Sequence, residues 1–591
     1  MNNTNISIMN FKIKIRNIPA RLRHSGGSLF TVLVLSAITL ITGCNGSQQK
    51  DATAGVICDP DNGGITLPEG FCATVVIDSL GLRDDHSARH IVVADNGDIY
   101  MKTRSQEGGI VALRDTNGDY RADIIKYFGN MNETKEGILW EAGIAVHNGY
   151  LWASNTTAVY RWPMPKDGEL VPKGEPEMVV SGFPEQQSHR SKAFTFDESG
   201  HLYVAVGAPS NACQVDERTP GSPGIAPCPL LEEHGGIWRF DANKINQTFS
   251  AAARYATGLR NVVGLDWNTT ANALFVMQHG RDQLHTLWPD YYTEEESAEL
   301  PAEDMYQVNE GDRFAWPYGY YDQRKGKLML SPEYGGNGKI TISESKFAGQ
   351  FKEPVMGFPG HWAPNDLLFY TSKQFPERYR NGAFIAFMGS WNRAPLPQGG
   401  YKVVFVPFEN GKPSGNYETF ADGFAGINPI PDRGAAKYRP MGLAMGHDGA
   451  LYISDYKKGR IWRVVYTGKK STAANAKRET AAETTSVASA DTAATSSLTG
   501  AALFRRMECA SCHTVDRNTP ASTGPSLFGL YGSKVNLQGG HTVTADEAYL
   551  RESILKANAK IVEGYMPVMP SYESRLTKEE VTRLVSYMKS L

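Results

Sequence analysis

Cys509-Ala-Ser-Cys512-His513 is the segment of this chain most committed to one chemistry. Two thiols at this spacing, followed at once by an imidazole, can add across the vinyl groups of a haem and bind its iron from one side. A bare C-x-x-C could also be a zinc half-site or a redox pair. Here no second C-x-x-C follows, and no thioredoxin-like strand context surrounds it. A thioether for the opposite face is available in Met566-Pro-Val-Met569-Pro, ahead of the last helical stretch. Sulfur opposite imidazole raises the iron potential and suits electron transfer. The expectation is haem c held by Cys509 and Cys512, with His513 on iron and Met566 or Met569 as sixth ligand.

Other residue patterns point to metal, disulfide and lipid chemistry. Asp115, Asn117, Asp119 and Asp123 present oxygens at alternate positions and again four residues later. Such D-x-N-x-D-x-x-x-D loops resemble Ca²⁺ loops between propeller strands. Tyr120 stands where glycine would ease the turn, and no bidentate glutamate closes the site, so a solvated Asx-rich turn is the alternative. Cys58, Cys72, Cys213 and Cys228 permit three pairings. Cys58–Cys72 and Cys213–Cys228 close the shortest loops, and the four lack zinc spacing. Lys12, Lys14, Arg16, Arg21 and Arg23 precede an apolar run from Leu29 to Ile41. That run is short of the ~20 residues of a spanning helix and suits a signal peptide. It ends Ile41-Thr42-Gly43-Cys44, which resembles the bacterial lipobox, in which the cysteine is lipidated. The expected location is the periplasmic side or the cell surface, with the chain held to a membrane by its lipid. Asn45, where aspartate marks inner-membrane retention, favours the outer membrane.

The elements that must position these groups are mostly β. The chain has 591 residues, more than one hydrophobic core usually serves, and a net charge of −3. That balance, with no basic block beyond the first 25 residues, excludes a nucleic-acid footprint. Five hairpin patterns recur: His90-IVVADNGDIYMKT, Ala142-GIAVHNGYLWASN, Ala193-FTFDESGHLYVAV, Val263-GLDWNTTANALFVMQ and Met441-GLAMGHDGALYISD. Each alternates with period two around an Asp, Asn or Gly turn. A less regular copy runs through Asn381-GAFIAFMGS, and third strands such as Gly236-IWRFD, Tyr401-KVVFVPF and Gly459-RIWRVVY follow. Repeats of this size predict a β-propeller, here of six blades. The expected order is a lipoprotein signal peptide over 1–44, a tether over 45–69 and the propeller over 70–467. An Ala/Ser/Thr-rich linker over 468–497 and a small all-α domain over 498–591 complete it.

Two resemblances sharpen this reading. The last domain, with Thr523-Gly-Pro-Ser between the haem ligands, resembles class I cytochrome c, and domains reading M-P-x-Y before a terminal helix favour Met569 over Met566. Tyr255-ATGLRNVVGLDW, Phe314-AWPYGY, His361-WAPNDLLFY, Phe387-MGSWNRAPLPQGGYKVVFVPF and Tyr438-RPMGLAMGHDGALYISD resemble the L-sorbosone dehydrogenase branch of the soluble glucose dehydrogenase family. The resemblance implies a six-bladed propeller using pyrroloquinoline quinone (PQQ) and Ca²⁺. It implies His189 as the base, with His361 as competitor, and Arg260 and Asn261 at the quinone carbonyls. It also implies Arg393 and Arg439 at the cofactor carboxylates, and Ca²⁺ bound partly by the Gly280 and Arg281 backbone carbonyls. Glucose dehydrogenases carry lysine near the Arg393 position, so that pairing departs from the pattern.

The expected function is oxidation of an aldose or related aldehyde, with electrons passed to the chain's own haem and then to a respiratory acceptor. The alternative is a glycan- or partner-binding propeller tethered to a separate electron relay. A Ca²⁺-dependent lactonase would need neither Arg393, Arg439 nor a cytochrome. The Pro209–Pro229 insertion after the His189 blade is expected to line the substrate mouth.

Overall fold

A computed structural model describes residues 58–468 except 81–87, 106–107, 130–141 and 167. It also describes 499–591 except 508, 510–512, 516–523, 566–568, 570–571 and 573–575. Cys44, the signal peptide, Cys512, Met566 and nearly all of the linker lie outside the described residues.

Five four-stranded sheets and one five-stranded sheet form the six blades of a propeller, in agreement with the repeat. Blade 1 begins with Ala88–Val93, blade 2 with Ile144–His147 and blade 3 with Phe194–Phe196. Blades 4, 5 and 6 begin with Val262–Asn268, Pro364–Phe369 and Pro440–Met445. Every hairpin read from the sequence supplies the first two strands of a blade. A fifth strand, Gln247–Thr248, pairs parallel with Glu177–Ser181 and covers the outer edge of blade 2.

The ring closes through its N-terminal strand. Phe71–Ile77 pairs with Ile461–Tyr466 of blade 6, from Phe71 opposite Tyr466 to Ile77 opposite Ile461. This hydrogen-bonds an edge that would otherwise be exposed. It also corrects the tether boundary, because residues from 58 onward belong to the propeller. Cys58 is joined to Cys72, Thr66 bridges to Asp422, and Ile65 is buried in the blade 5–6 core. An apolar residue with a disulfide beside it is held by packing rather than left as a lead-in.

Between blades the cores are apolar and aromatic. Trp152, Val180, Val204, Trp238 and Phe240 fill the space between blades 2 and 3. Toward the axis, buried carboxylates tie one blade to the next. Asp266 accepts from Phe369 N at 2.8 Å, and Asp366 accepts from Leu443 N at 2.7 Å.

The C-terminal domain is built on helices Gly500–Arg506, Glu547–Leu555 and Lys578–Met588. The last opens on a capping box made by Thr577 and Glu580. Gly500 allows the first and last helices to touch, since a Cβ there would lie 2.2 Å from Arg583 O. The domain is not purely helical: Lys534–Asn536 and Thr542–Thr544 form a short hairpin around the Gly539-Gly540 turn.

Candidate active site

The candidate site lies where loops from blades 3 to 6 converge. In an antiparallel hairpin, the start of the first strand and the end of the second share one edge of the sheet. The registers Val262 opposite Gln278, Pro364 opposite Phe387 and Pro440 opposite Asp455 therefore bring three pairs of loops to one face. Each of these innermost strands is bulged in its first residues. Bulges re-aim the chain locally and are frequent beside active sites.

His189 enters this face just before Phe194–Phe196, with φ +52°. Its Nδ1–H donates to Ala208 O at 2.5 Å, which fixes the tautomer and leaves the basic lone pair on Nε2. Among the described residues Nε2 has no hydrogen-bond partner. Gln186 Nε2 donates to Ser188 O, His189 O and Gly207 O and so fixes the backbone around the ring. Burial, reinforced by the Arg260 charge, pushes the imidazole down to about 3, so it is neutral at ordinary pH.

Arg260 is almost fully buried and donates through four of its N–H groups. Nη2 reaches Asp282 Oδ2 at 2.9 Å and Asn211 Oδ1 at 3.0 Å; Nε reaches Asn211 O and Nη1 reaches Gly280 O. Asp282 Oδ2 also accepts from Arg218 Nη2 at 3.1 Å, and Oδ1 accepts from Asn392 Nδ2 at 3.0 Å. Burial alone would raise the Asp282 carboxyl, but Arg260 and Arg218 hold it well below the carboxylate range. Asn392 Nδ2 also lies 3.2 Å from His361 Nδ1. His361 donates from Nε2 to Ser297 O at 2.8 Å, so both of its ring nitrogens are engaged within the protein. Of the two histidines, His189 is the one with a nitrogen free for a substrate proton.

The TrAA12-like family matches residues 65–467, more than half of the chain. The chain belongs to that family. The cytochrome c family matches residues 497–591. Among solved structures, the iodide structure of the Trichoderma reesei family AA12 carbohydrate-active enzyme has a TM-score of 0.53 and 18% identity, covering 68% of this chain and 98% of that one. The holo form of the pyranose dehydrogenase PQQ domain from Coprinopsis cinerea has a TM-score of 0.51 and 18% identity, covering 68% and 97%. At such identity they establish the fold alone. An uncharacterised protein of Borreliella burgdorferi is 28% identical over 215 residues, 36% of this chain. The match spans 48% of that relative's length.

Within this TrAA12-like propeller the expected residues divide into two groups. His189, Arg260 and Asn261 come together: a Cβ on Gly207 would lie 2.6 Å from His189 Cβ and 3.2 Å from Asn261 Oδ1. Asn261 Oδ1 is buried with no hydrogen-bond partner among the described residues, so the site lacks one donor that a bound molecule can provide. With the buried Arg260 and Arg439 nearby in the loop cluster, this polar, cationic lining fits an anionic quinone such as PQQ.

Arg393 does not stand as expected. Nη1 donates to Ala298 O and Gly360 O at 3.0 Å, Nε donates to Pro397 O, and Nη2 pairs with the Glu299 carboxylate. It anchors its loop to the helix Glu294–Glu299, because a buried guanidinium is held by the nearest acceptors. Arg439 donates to Met388 O and Gly389 O and lies over the Tyr401 and Tyr456 rings.

Of the carbonyls expected to hold calcium, Gly280 O accepts from Arg260 Nη1 at 2.7 Å. In the 115–123 loop the carboxylates serve the chain's own N–H groups. Asp115 accepts from Asn117, Gly118 and Tyr120 N, Asp119 from Arg121 N, and Asp123 from Thr116 N. This is the Asx-rich turn, with Tyr120 at φ +64° under the Arg463 guanidinium. Among the described residues no group of three or more His, Cys, Asp or Glu is placed to hold a metal ion.

Both expected disulfides are present, Cys58–Cys72 and Cys213–Cys228. Four functional candidates were not read from the sequence: Asp282, Arg218, Asn211 and Asn392. Asn392 sits inside a quoted motif beside Arg393, and Asp282 follows Arg281; both were passed over for those arginines. Asn211 and Arg218 lie in the Pro209–Pro229 insertion, which has no repeat to align.

In the cytochrome domain, Cys509 and Met569 pack against one hydrophobic cluster formed by Leu503, Phe504, Leu527 and Leu584 among others. His513 Nδ1–H donates to Pro525 O at 2.8 Å, which leaves Nε2 as the metal-binding nitrogen. This donor set fits a haem iron.

Proposed function

We propose that this protein is a PQQ-dependent sugar dehydrogenase that passes electrons to its own haem c. Family membership and the cytochrome c domain support an oxidoreductase. The observation that carries the reading is His189: a neutral imidazole with Nδ1–H tied to Ala208 O and Nε2 free, beside a buried arginine. PQQ, when bound, supplies a two-electron acceptor for the hydride of a sugar carbon.

His189 Nε2 takes the hydroxyl proton as the C–H bond breaks, and the Ala208 carbonyl stabilises the imidazolium through Nδ1–H. Arg260 keeps a positive charge against oxygen that becomes negative, preorganised by Asn211 and Asp282. Asn261 Oδ1 accepts from a donor of the bound molecules, and Arg439 provides a further cation for carboxylates. Arg393 positions the loop that carries Asn392. The substrate is an aldose or related aldehyde, and the product a lactone or acid. His513 and Met569 would hold a haem iron, which would supply a one-electron carrier between the propeller and a respiratory acceptor. Lipidation at Cys44 would keep the enzyme at a membrane on the exported side.

Stopped-flow mixing of PQQ-reconstituted holoprotein with a panel of sugars and aldehydes tests the reading through the haem absorbance. Reduction by at least one compound, lost in His189→Ala, is expected. Absence of reduction by every sugar and aldehyde overturns it.

A further inference from the structure

The disulfide-closed loop reaches into the active site. Cys213–Cys228 spans 15 residues between the second and third strands of blade 3, His201–Val206 and Gly236–Asp241. Inside it Glu217 accepts from Ser210 Oγ at 2.6 Å and Asn211 N at 2.7 Å, and Ser210 Oγ accepts from Cys213 N. Gln214 accepts from Arg218 N at 3.0 Å and donates to Thr219 O and Ser222 O. These bonds hold Arg218 at φ +55°, with its side chain only 12% exposed. From there Nη1 donates to Gln283 Oε1 at 2.5 Å and Nη2 to Asp282 Oδ2 at 3.1 Å. Arg260 Nη2 donates to the same carboxylate oxygen.

We propose that Arg218 is a positioning residue for the oxidation, delivered by the Cys213–Cys228 loop to hold Asp282 against Arg260. The inference rests on the proposed dehydrogenase reading. Arg218 and Arg260 share Asp282, and Glu217 stands 3.9 Å from Arg218 Nε as a second carboxylate. Without Arg218, Asp282 loses one of its two guanidinium partners and is free to draw Arg260 away from its partners on Asn211 and Gly280. Asn211, two residues before Cys213, holds Arg260 through both O and Oδ1. The insertion therefore supplies two groups that set the position of one buried arginine.

The test uses PQQ-loaded full-length protein and its best sugar. In Arg218→Ala, kcat is expected to fall about tenfold to a hundredfold, the usual range for losing a hydrogen bond between charged groups. KM and the PQQ affinity, followed by quenching of tryptophan fluorescence, are expected to change less than about threefold, since Arg218 acts through Asp282. Added guanidinium or methylguanidinium is expected to restore rate to Arg218→Ala, and Arg218→Lys to retain more activity than Arg218→Ala. A purely structural role in the loop would not respond to the added cation. Should Arg218→Ala fold poorly, Cys213→Ser/Cys228→Ser provides a second route, with the same fall in kcat at unchanged PQQ affinity. Unchanged kcat in Arg218→Ala, absence of rescue, or loss of PQQ binding would each overturn the proposal. A wild-type protein silent toward every sugar would instead sink the dehydrogenase reading.

Discussion

Gly207 is the position where a single methyl group should report most directly on His189. It follows the strand His201–Val206 and has no left-handed φ, so alanine there meets no backbone strain. Its effect is steric. The added Cβ would stand 2.5 Å from His189 O and 2.6 Å from His189 Cβ. Side-chain carbons need about 3.5 Å, so the histidine must retreat by roughly 1 Å. Its Nδ1–H bond to Ala208 O and the Gln186 clamp move with it or break. A displacement of that size at a reacting group costs on the order of a hundredfold in rate. The stability cost should be smaller, about 1–3 kcal/mol of overpacking. The assay is haem reduction in PQQ-loaded Gly207→Ala against wild type, with the thermal midpoint of each. A rate within threefold of wild type, in a protein that binds PQQ normally, would refute the placement of His189 as the base.

Three further outcomes are expected. His189 is pushed down to about 3, so kcat/KM should stay level through pH 6.5 and fall only at much lower pH; an acid limb near 6.5 would assign the base elsewhere. Asp366 is raised by burial to about 8, so it is protonated in the fold and ionised in the unfolded chain above about pH 4. Its contribution to stability is therefore lost as pH rises from about 4 to 8, by about 1.4 kcal/mol per unit at most. Asp366→Asn, which sacrifices an acceptor for Leu367 N or Leu443 N, should be less stable than wild type at pH 5 and overtake it near pH 8 in denaturant titrations. Parallel pH curves would refute the assignment. Met569→Ala should lower the haem potential and remove the sulfur-to-iron absorption band, whereas Met566→Ala should do neither. A normal band in Met569→Ala would exclude it as the ligand.

The blades were legible because a half-buried strand writes its period into the sequence and a tight turn demands Asn, Asp or Gly. Val263-GLDWNTTANALFVMQ carries both signals, and its register in the sheet follows from them. Pairing between distant segments leaves no such trace. Phe71–Ile77 reads as a strand without naming Tyr466 as its partner, so the closure and the true start of the propeller became visible only in the fold. The inner-strand bulges are equally silent, although they turn Arg260, His361 and Arg439 toward one face. The cytochrome hairpin was missed because three-residue strands are too short to show a period.

At the site, residue types were legible and their partners were not. A motif comparison treats Arg393 as a cation available to a ligand. In the structure Arg393 is matched by Glu299, and Arg281 by Glu333 in a fully buried pair. Withdrawing the Arg281 guanidinium from its buried partner leaves an uncompensated carboxylate, a change that costs several kcal/mol. Arg260 differs because its carboxylate is shared with Arg218. The position of Asp282 beside Arg260 thus depends on an arginine from an insertion that no blade repeat predicts, and a change in the loop closed by Cys213–Cys228 acts on Arg260 through that shared carboxylate.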